Sequence, residues 1–136
     1  MSERAGALSG IRILDLSRVL AGPSCTQLLA DLGADVIKVE RPGVGDETRT
    51  WGPPFIKDVE GGETTESGYY LSANRNKRSV TINIAKPKGA ALVRKMLTGC
   101  DVLIENFRVG GLAKYGLAYD DLKNDFPGLV YCSITG

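Results

Sequence analysis

Five short runs of branched apolar residues, most of them separated by segments with helical periodicity, narrow the fold class of this chain. Residues 11–16 read I-R-I-L-D-L, 35–40 D-V-I-K-V-E, 80–84 V-T-I-N-I, 101–105 D-V-L-I-E and 129–134 L-V-Y-C-S-I. Runs this short, rich in Val and Ile and bounded by turn formers, read as strands. Between the first two, Gly22 and Pro23 open a helix that carries Cys25, Leu28, Leu29 and Leu32 at helical spacing and stops at Gly33. Pro87 opens another, with Ala90, Ala91, Leu92, Val93, Met96 and Leu97 on it, closed by Gly99. A helix between successive strands is the connection that parallel pairing requires. The expectation is an α/β protein built on an open, mainly parallel sheet with helices on both faces and right-handed crossovers.

The remaining segments are less regular. Residues 41–66 lack any sustained period and read as one long loop, the kind that more often serves as a binding lid or contact arm than as an idle connection. A short helix is expected near residues 68–73, a helical turn up to Tyr115, and a helix over 119–126 with Asp120 and Asp121 in its first turn, where the helix dipole favours anions. The last run ends two residues before the chain does, where a strand covered on both faces ordinarily passes into a helix. The sheet is therefore expected to be incomplete at its C-terminus, with a tail over residues 1–9 and the domain over 10–136.

Composition removes several chemistries. The 136 residues are enough to hide roughly two thirds of the unfolded surface without disulfides or metals. Seventeen Lys and Arg against sixteen Asp and Glu leave a net charge of +1, which argues against a dedicated nucleic-acid or membrane-surface binder. There is no histidine, so Ser-His-Asp and Cys-His nucleophiles, HExxH zinc sites and histidine proton shuttles are excluded within this chain. Cys25, Cys100 and Cys132 form no CxxC pair and read as small buried hydrophobes in a reducing compartment. Nothing at the N-terminus resembles a secretion signal, and no run is long enough to span a bilayer. The expectation is a soluble cytoplasmic protein without bound metal, or a mitochondrial one that has lost a leader.

In open α/β sheets the ligand sits beyond the carboxyl ends of the strands. Residues 17–22, 41–45, 85–86 and 106–108 are therefore the segments to inspect. Gly43-Val44-Gly45 lacks the third glycine and the following helix of a dinucleotide fingerprint, and no GxxxxGK[ST] loop is present. Arg41 directly follows the second strand, where a guanidinium can pair with phosphate or stack on an adenine. Arg75, Lys77 and Arg78 offer a second basic cluster for a polyanion. Asp15, Asp46, Glu47 and Glu105 are the carboxylates nearest the expected cleft, but no pair has a spacing that assigns acid and base roles.

These segments also carry a resemblance. SRVLAGP at residues 17–23, LADLGADVIKVERPGVGDETR at 29–49, WGPPF at 51–55, SANRNKRSVTINI at 72–84 and DVLIENF at 101–107 closely resemble the N-terminal part of class III CoA-transferases, the family of formyl-CoA transferase and the carnitine CoA-transferases. The resemblance extends from Gly10 to Gly136 with order and spacing intact. It implies a Rossmann-like domain that binds coenzyme A or acyl-CoA, within a longer protein that forms an interlocked homodimer. The implied reaction moves CoA from an acyl-CoA donor to a small carboxylate through an aspartyl anhydride and an enzyme-bound thioester. The nucleophilic aspartate falls beyond Gly136 in that family, so no aspartate here takes its role. The CoA contacts carried over by position are Leu20 and Ala21, Arg41, Ile82, Asn83, Ile84 and Ala85, then Asn106, Phe107 and Arg108, with Lys114 where formyl-CoA transferase has arginine. Leu20 and Ala85 depart from the formyl enzyme, and the RPGVGDETRTWGPPF run looks more like members that use succinyl-CoA and dicarboxylates such as glutarate. α-Methylacyl-CoA racemases share the fold but carry E-P-F where this chain has E-N-F at residues 105–107. A CoA-binding fragment without turnover is the other alternative.

Overall fold

The alternation of inward residues along each strand builds a sheet with two buried faces. The structure, a computed structural model, describes residues 6–135. Its main sheet pairs β1 (Arg12–Asp15), β2 (Asp35–Glu40), β5 (Lys77–Thr81), β6 (Val102–Glu105) and β7 (Val130–Ser133) in parallel, in the order β5-β2-β1-β6-β7. The register sets Leu14 beside Ile37 on one side and Leu103 on the other. Ile13, Val36 and Ile104 face α1 (Ala21–Asp31) and its Ala30, while Leu14 and Leu103 face α3 (Pro87–Leu97), with Val93 and Leu97. Leu122 of α4 (Tyr119–Leu122) joins that second core. Helices thus cover both faces, in agreement with the α/β expectation.

Four local expectations are corrected. Residues 41–66 are not one unstructured loop: a 3-10 turn, Glu47–Thr50, leads to an antiparallel hairpin of β3 (Phe55–Lys57) and β4 (Glu63–Ser67), followed by α2 (Gly68–Asn74). Strand β5 begins and ends three residues earlier than residues 80–84 indicate: its ladder with β2 runs from Val36 beside Lys77 to Glu40 beside Thr81, where β2 ends. Ile82 and Ile84 still pack on the core, so their alternation reported burial rather than pairing. Helix α4 stops at Leu122 and gives way to turns instead of running to residue 126. The three cysteines are partly buried rather than fully buried.

Residues 1–5 of the expected tail and Gly136 lie outside the described residues. Leu8 packs beside α1 and donates its N–H to Leu32 O at 2.9 Å. Among the described residues no helix is long and apolar enough to cross a membrane.

The strand order reverses direction at β1, with β2 on one side and β6 on the other. At such a point the two neighbouring connections leave on opposite faces and a crevice opens at the carboxyl edge.

Candidate functional site

A cleft of about 610 Å³ lies at that edge, between the ends of β1, β2 and β5 and the first residues after β6. Of the positions singled out from the sequence, Arg41, Ile82, Asn83, Ile84, Ala85 and Phe107 line it. Leu20, Ala21, Asn106, Arg108 and Lys114 do not. Leu20 and Ala21 are exposed at the start of α1, and Asn106 bonds to the backbone of Arg18. Arg108 is exposed, and Lys114 lies with its ammonium 4.9 Å from the ring centre of Tyr115, itself a cleft residue.

The wall formed by residues 82–85 is held from both ends. Ile82 donates its N–H to Glu40 O at 2.9 Å, and Asn83 accepts from the N–H of Lys86 on its carbonyl at 3.1 Å and from that of Ala85 on its side chain at 3.1 Å. A side chain at Gly89 would lie 2.0 Å from Asn83 O, so only glycine lets the first turn of α3 approach this wall.

Arg41 is exposed at the rim, and among the described residues its guanidinium has no ion-pair partner. Across the cleft Arg18 lies over the Phe107 ring at 4.8 Å, with Glu47 only at 3.6 Å. An exposed, uncommitted guanidinium facing an apolar wall suits a ligand with anionic and flat apolar parts.

The basic cluster at residues 75–78 does not join the cleft, which corrects the polyanion reading. It lies at the amino end of β5, where Arg75 pairs with Asp31 and Arg78 with Asp35 at 2.7 Å. Lys77 turns under α1 to Asp15 at 3.3 Å, Pro23 O at 2.8 Å and Asn74 at 2.9 Å. Burial brings its ammonium down to about 8, against the opposing pull of Asp15.

The floor of the cleft is an ionic layer of Lys38, Glu40 and Asp46 that the sequence pattern did not place. Lys38 and Asp46 pair at 2.9 Å with both side chains 1% exposed. Glu40 takes two bonds from Arg49 at 2.7 Å each, one from Tyr70 at 2.8 Å, one from Ser79 at 2.6 Å and one from the N–H of Asp46 at 2.8 Å. Burial alone would raise the Glu40 carboxyl, but these donors outweigh it and hold the group at about 2. The available signal was D-V-I-K-V-E itself, in which Lys38 and Glu40 occupy the same face as the core residue Val36. Among the described residues no buried side-chain polar atom lacks a partner.

A family model for CoA-transferase family III matches residues 8–136. The chain belongs to CoA-transferase family III. Among CoA-transferases it is 54% identical over 136 residues to a succinate–glutarate CoA-transferase of Agrobacterium fabrum, covering all of this chain and 34% of that protein. A succinyl-CoA:glutarate CoA-transferase of Homo sapiens is 55% identical over 129 residues, 95% of this chain and 28% of that protein. The crystal structure of a CAIB/BAIF family protein from Brucella suis matches with a TM-score of 0.88 and 53% identity, over 98% of this chain and 34% of that one. The chain thus spans about a third of the length of the curated CoA-transferases it matches.

Proposed function

We propose that this chain supplies the CoA-binding cleft of a class III CoA-transferase, which moves CoA from an acyl-CoA donor to a small carboxylate. Succinyl-CoA is the proposed donor and a dicarboxylate such as glutarate the proposed acceptor. The observation that carries the reading is convergence. Turns after β1, β2, β5 and β6, far apart in the chain, meet at one cleft with Arg41 uncommitted at its rim. Arg41 suits a phosphate of the nucleotide, and Ile82, Ile84 and Phe107 provide an apolar surface beside it. The names of the similar relatives support the choice of donor and acceptor.

The state of the nearby aspartates supports a nucleophile supplied from outside this chain. Asp15 is 0% exposed and accepts from the N–H and hydroxyl of Ser17, from Thr26 and from Lys77. Asp46 is committed to Lys38, Val19 and Thr48. A carboxylate so enclosed and so hydrogen-bonded cannot reach a thioester carbon, and its electron pairs are already engaged. E-N-F fits this site as well, since the Asn106 amide both donates to and accepts from Arg18, a pairing that proline cannot make.

In the full-length protein, Arg41→Ala is expected to raise KM for the acyl-CoA donor by about tenfold, roughly 1.4 kcal/mol, with a smaller change in kcat. Steady-state kinetics with succinyl-CoA and glutarate check it; an unchanged KM would count against the cleft as the CoA site.

A further inference from the structure

The turn that enters the cleft from β1 owes its shape to other parts of the chain. Among the described residues, no backbone–backbone hydrogen bond holds residues 17–19. Side chains do so instead. The Ser17 N–H donates to Asp15 at 2.8 Å, and Ser17 O accepts from the Lys38 ammonium at 2.9 Å. Arg18 donates its N–H to Asn106 Oδ1 and accepts from Asn106 Nδ2, both at 2.8 Å. The Val19 N–H donates to Asp46 at 3.2 Å.

Val19 adopts a φ of 67°. A β-branched residue is sterically disfavoured there, and such a conformation persists only where the surroundings over-determine it. The surroundings here are side chains from both sides of the switch point: Lys38 and Asp46 from β2 and its following loop, Asn106 from the end of β6. Lys38 and Asp46 sit at the floor of the cleft with side chains only 1% exposed and their charges spent on each other, and the Asn106 amide is engaged at both ends by Arg18.

We propose that Lys38, Asp46 and Asn106 are positioning residues that clamp residues 17–19 into one conformation, setting Arg18 over Phe107 at the cleft wall and presenting Leu20 and Ala21 at the start of α1. For its ligand the inference rests on the CoA reading above. The clamp ties the width of the crevice to the spacing of β2 and β6, so the turn is rigid before any ligand arrives. A preformed wall reduces the ordering cost of binding.

The test uses the full-length protein and the double variant Lys38→Met with Asp46→Asn, which removes both buried charges together and leaves neither unpaired. Hydrogen exchange of the peptide spanning residues 17–20 is expected to quicken by about tenfold in the ligand-free variant. Titration with CoA should show Kd raised by about tenfold, and kinetics should show the loss mainly in KM. A folded variant with unchanged exchange, or with quickened exchange and unchanged Kd, would overturn the proposal. Should the double variant lose its thermal transition, Asn106→Ala provides the same readouts at a half-buried site. Adding Val19→Gly to Asn106→Ala then separates positioning from direct contact, because glycine holds a φ of 67° without strain. Recovery of CoA affinity supports the clamp, and no recovery overturns it. A parent protein that binds no CoA would overturn the functional reading, while the exchange measurement still accepts or rejects the clamp.

Discussion

Glu40 and Lys77 are both ionisable groups with buried side chains, and their surroundings treat them in opposite ways. Glu40 has enough donors to outweigh burial and is held at about 2 against an ordinary 4.5. A carboxyl lowered on folding stabilises the native state fully above its unfolded value, and that contribution disappears as pH falls from about 4.5 toward 2. The displacement corresponds to roughly 3 kcal/mol. Urea unfolding at pH 7 and pH 3 should therefore show a smaller acid loss in Glu40→Gln than in the parent; equal losses would remove Glu40 as the cause. Lys77 is lowered to about 8 from 10.5, chiefly by burial. Between those values the unfolded chain holds more protons, so stability rises with pH, by up to about 3 kcal/mol. Lys77→Met should flatten the rise measured from pH 8 to 10.5, and a parent-like slope in that variant would contradict the assignment.

At the scale of elements, the segment between β2 and α2 gains its order from attachment. Its hairpin carries little buried apolar surface: Ile56 is 46% and Val59 103% exposed. Arg49, in the 3-10 turn that precedes the hairpin, anchors the segment between β2 and α2, with its guanidinium on Glu40 and 3.8 Å from the centre of the Tyr70 ring. Arg49→Ala removes the strongest donor from a buried carboxylate and is expected to cost about 2 kcal/mol, discounted because Arg49 is itself partly exposed. Limited proteolysis should then cut within residues 51–67 well before the sheet opens, and a cleavage pattern identical to the parent would show that the hairpin is held by something else.

At the scale of the whole molecule, the switch point at β1 gathers the cleft, with Asp15 enclosed below it and Asp46 almost fully buried in its floor. A polypeptide restricted to these 136 residues is expected to give no transfer of CoA from succinyl-CoA to glutarate in a thioester-exchange assay. Measurable turnover would place a nucleophile among its own aspartates. Much of this scale was legible in the chain. The I-R-I-L-D-L and D-V-I-K-V-E runs with a helix between them read as a parallel unit because burial on two faces demands continuous apolar runs. Arg41 and Ala85 are legible as cleft residues from their place after the carboxyl end of an expected strand alone, whereas Ile82, Asn83 and Ile84 enter only through the resemblance, because they lie inside the strand expected at residues 80–84. The residue pattern could not report partners across long sequence separation. Lys38 with Asp46, Glu40 with Arg49 and Tyr70, and Asn106 with Arg18 are each defined by a tertiary meeting.

By itself, then, the sequence determined the strands and crossovers, the loss of histidine chemistry and the rim on which a ligand would sit, since these depend on local periodicity and residue type. Only the tertiary structure decided that the arm after β2 holds a 3-10 turn tied to Glu40 through Arg49 and then a hairpin, that the basic cluster is neutralised on the far rim, and that the turn after β1 is shaped by side chains from both of its neighbours. Those outcomes depend on charge pairing and hydrogen bonding across as many as 88 residues, as between Arg18 and Asn106, which no local pattern encodes.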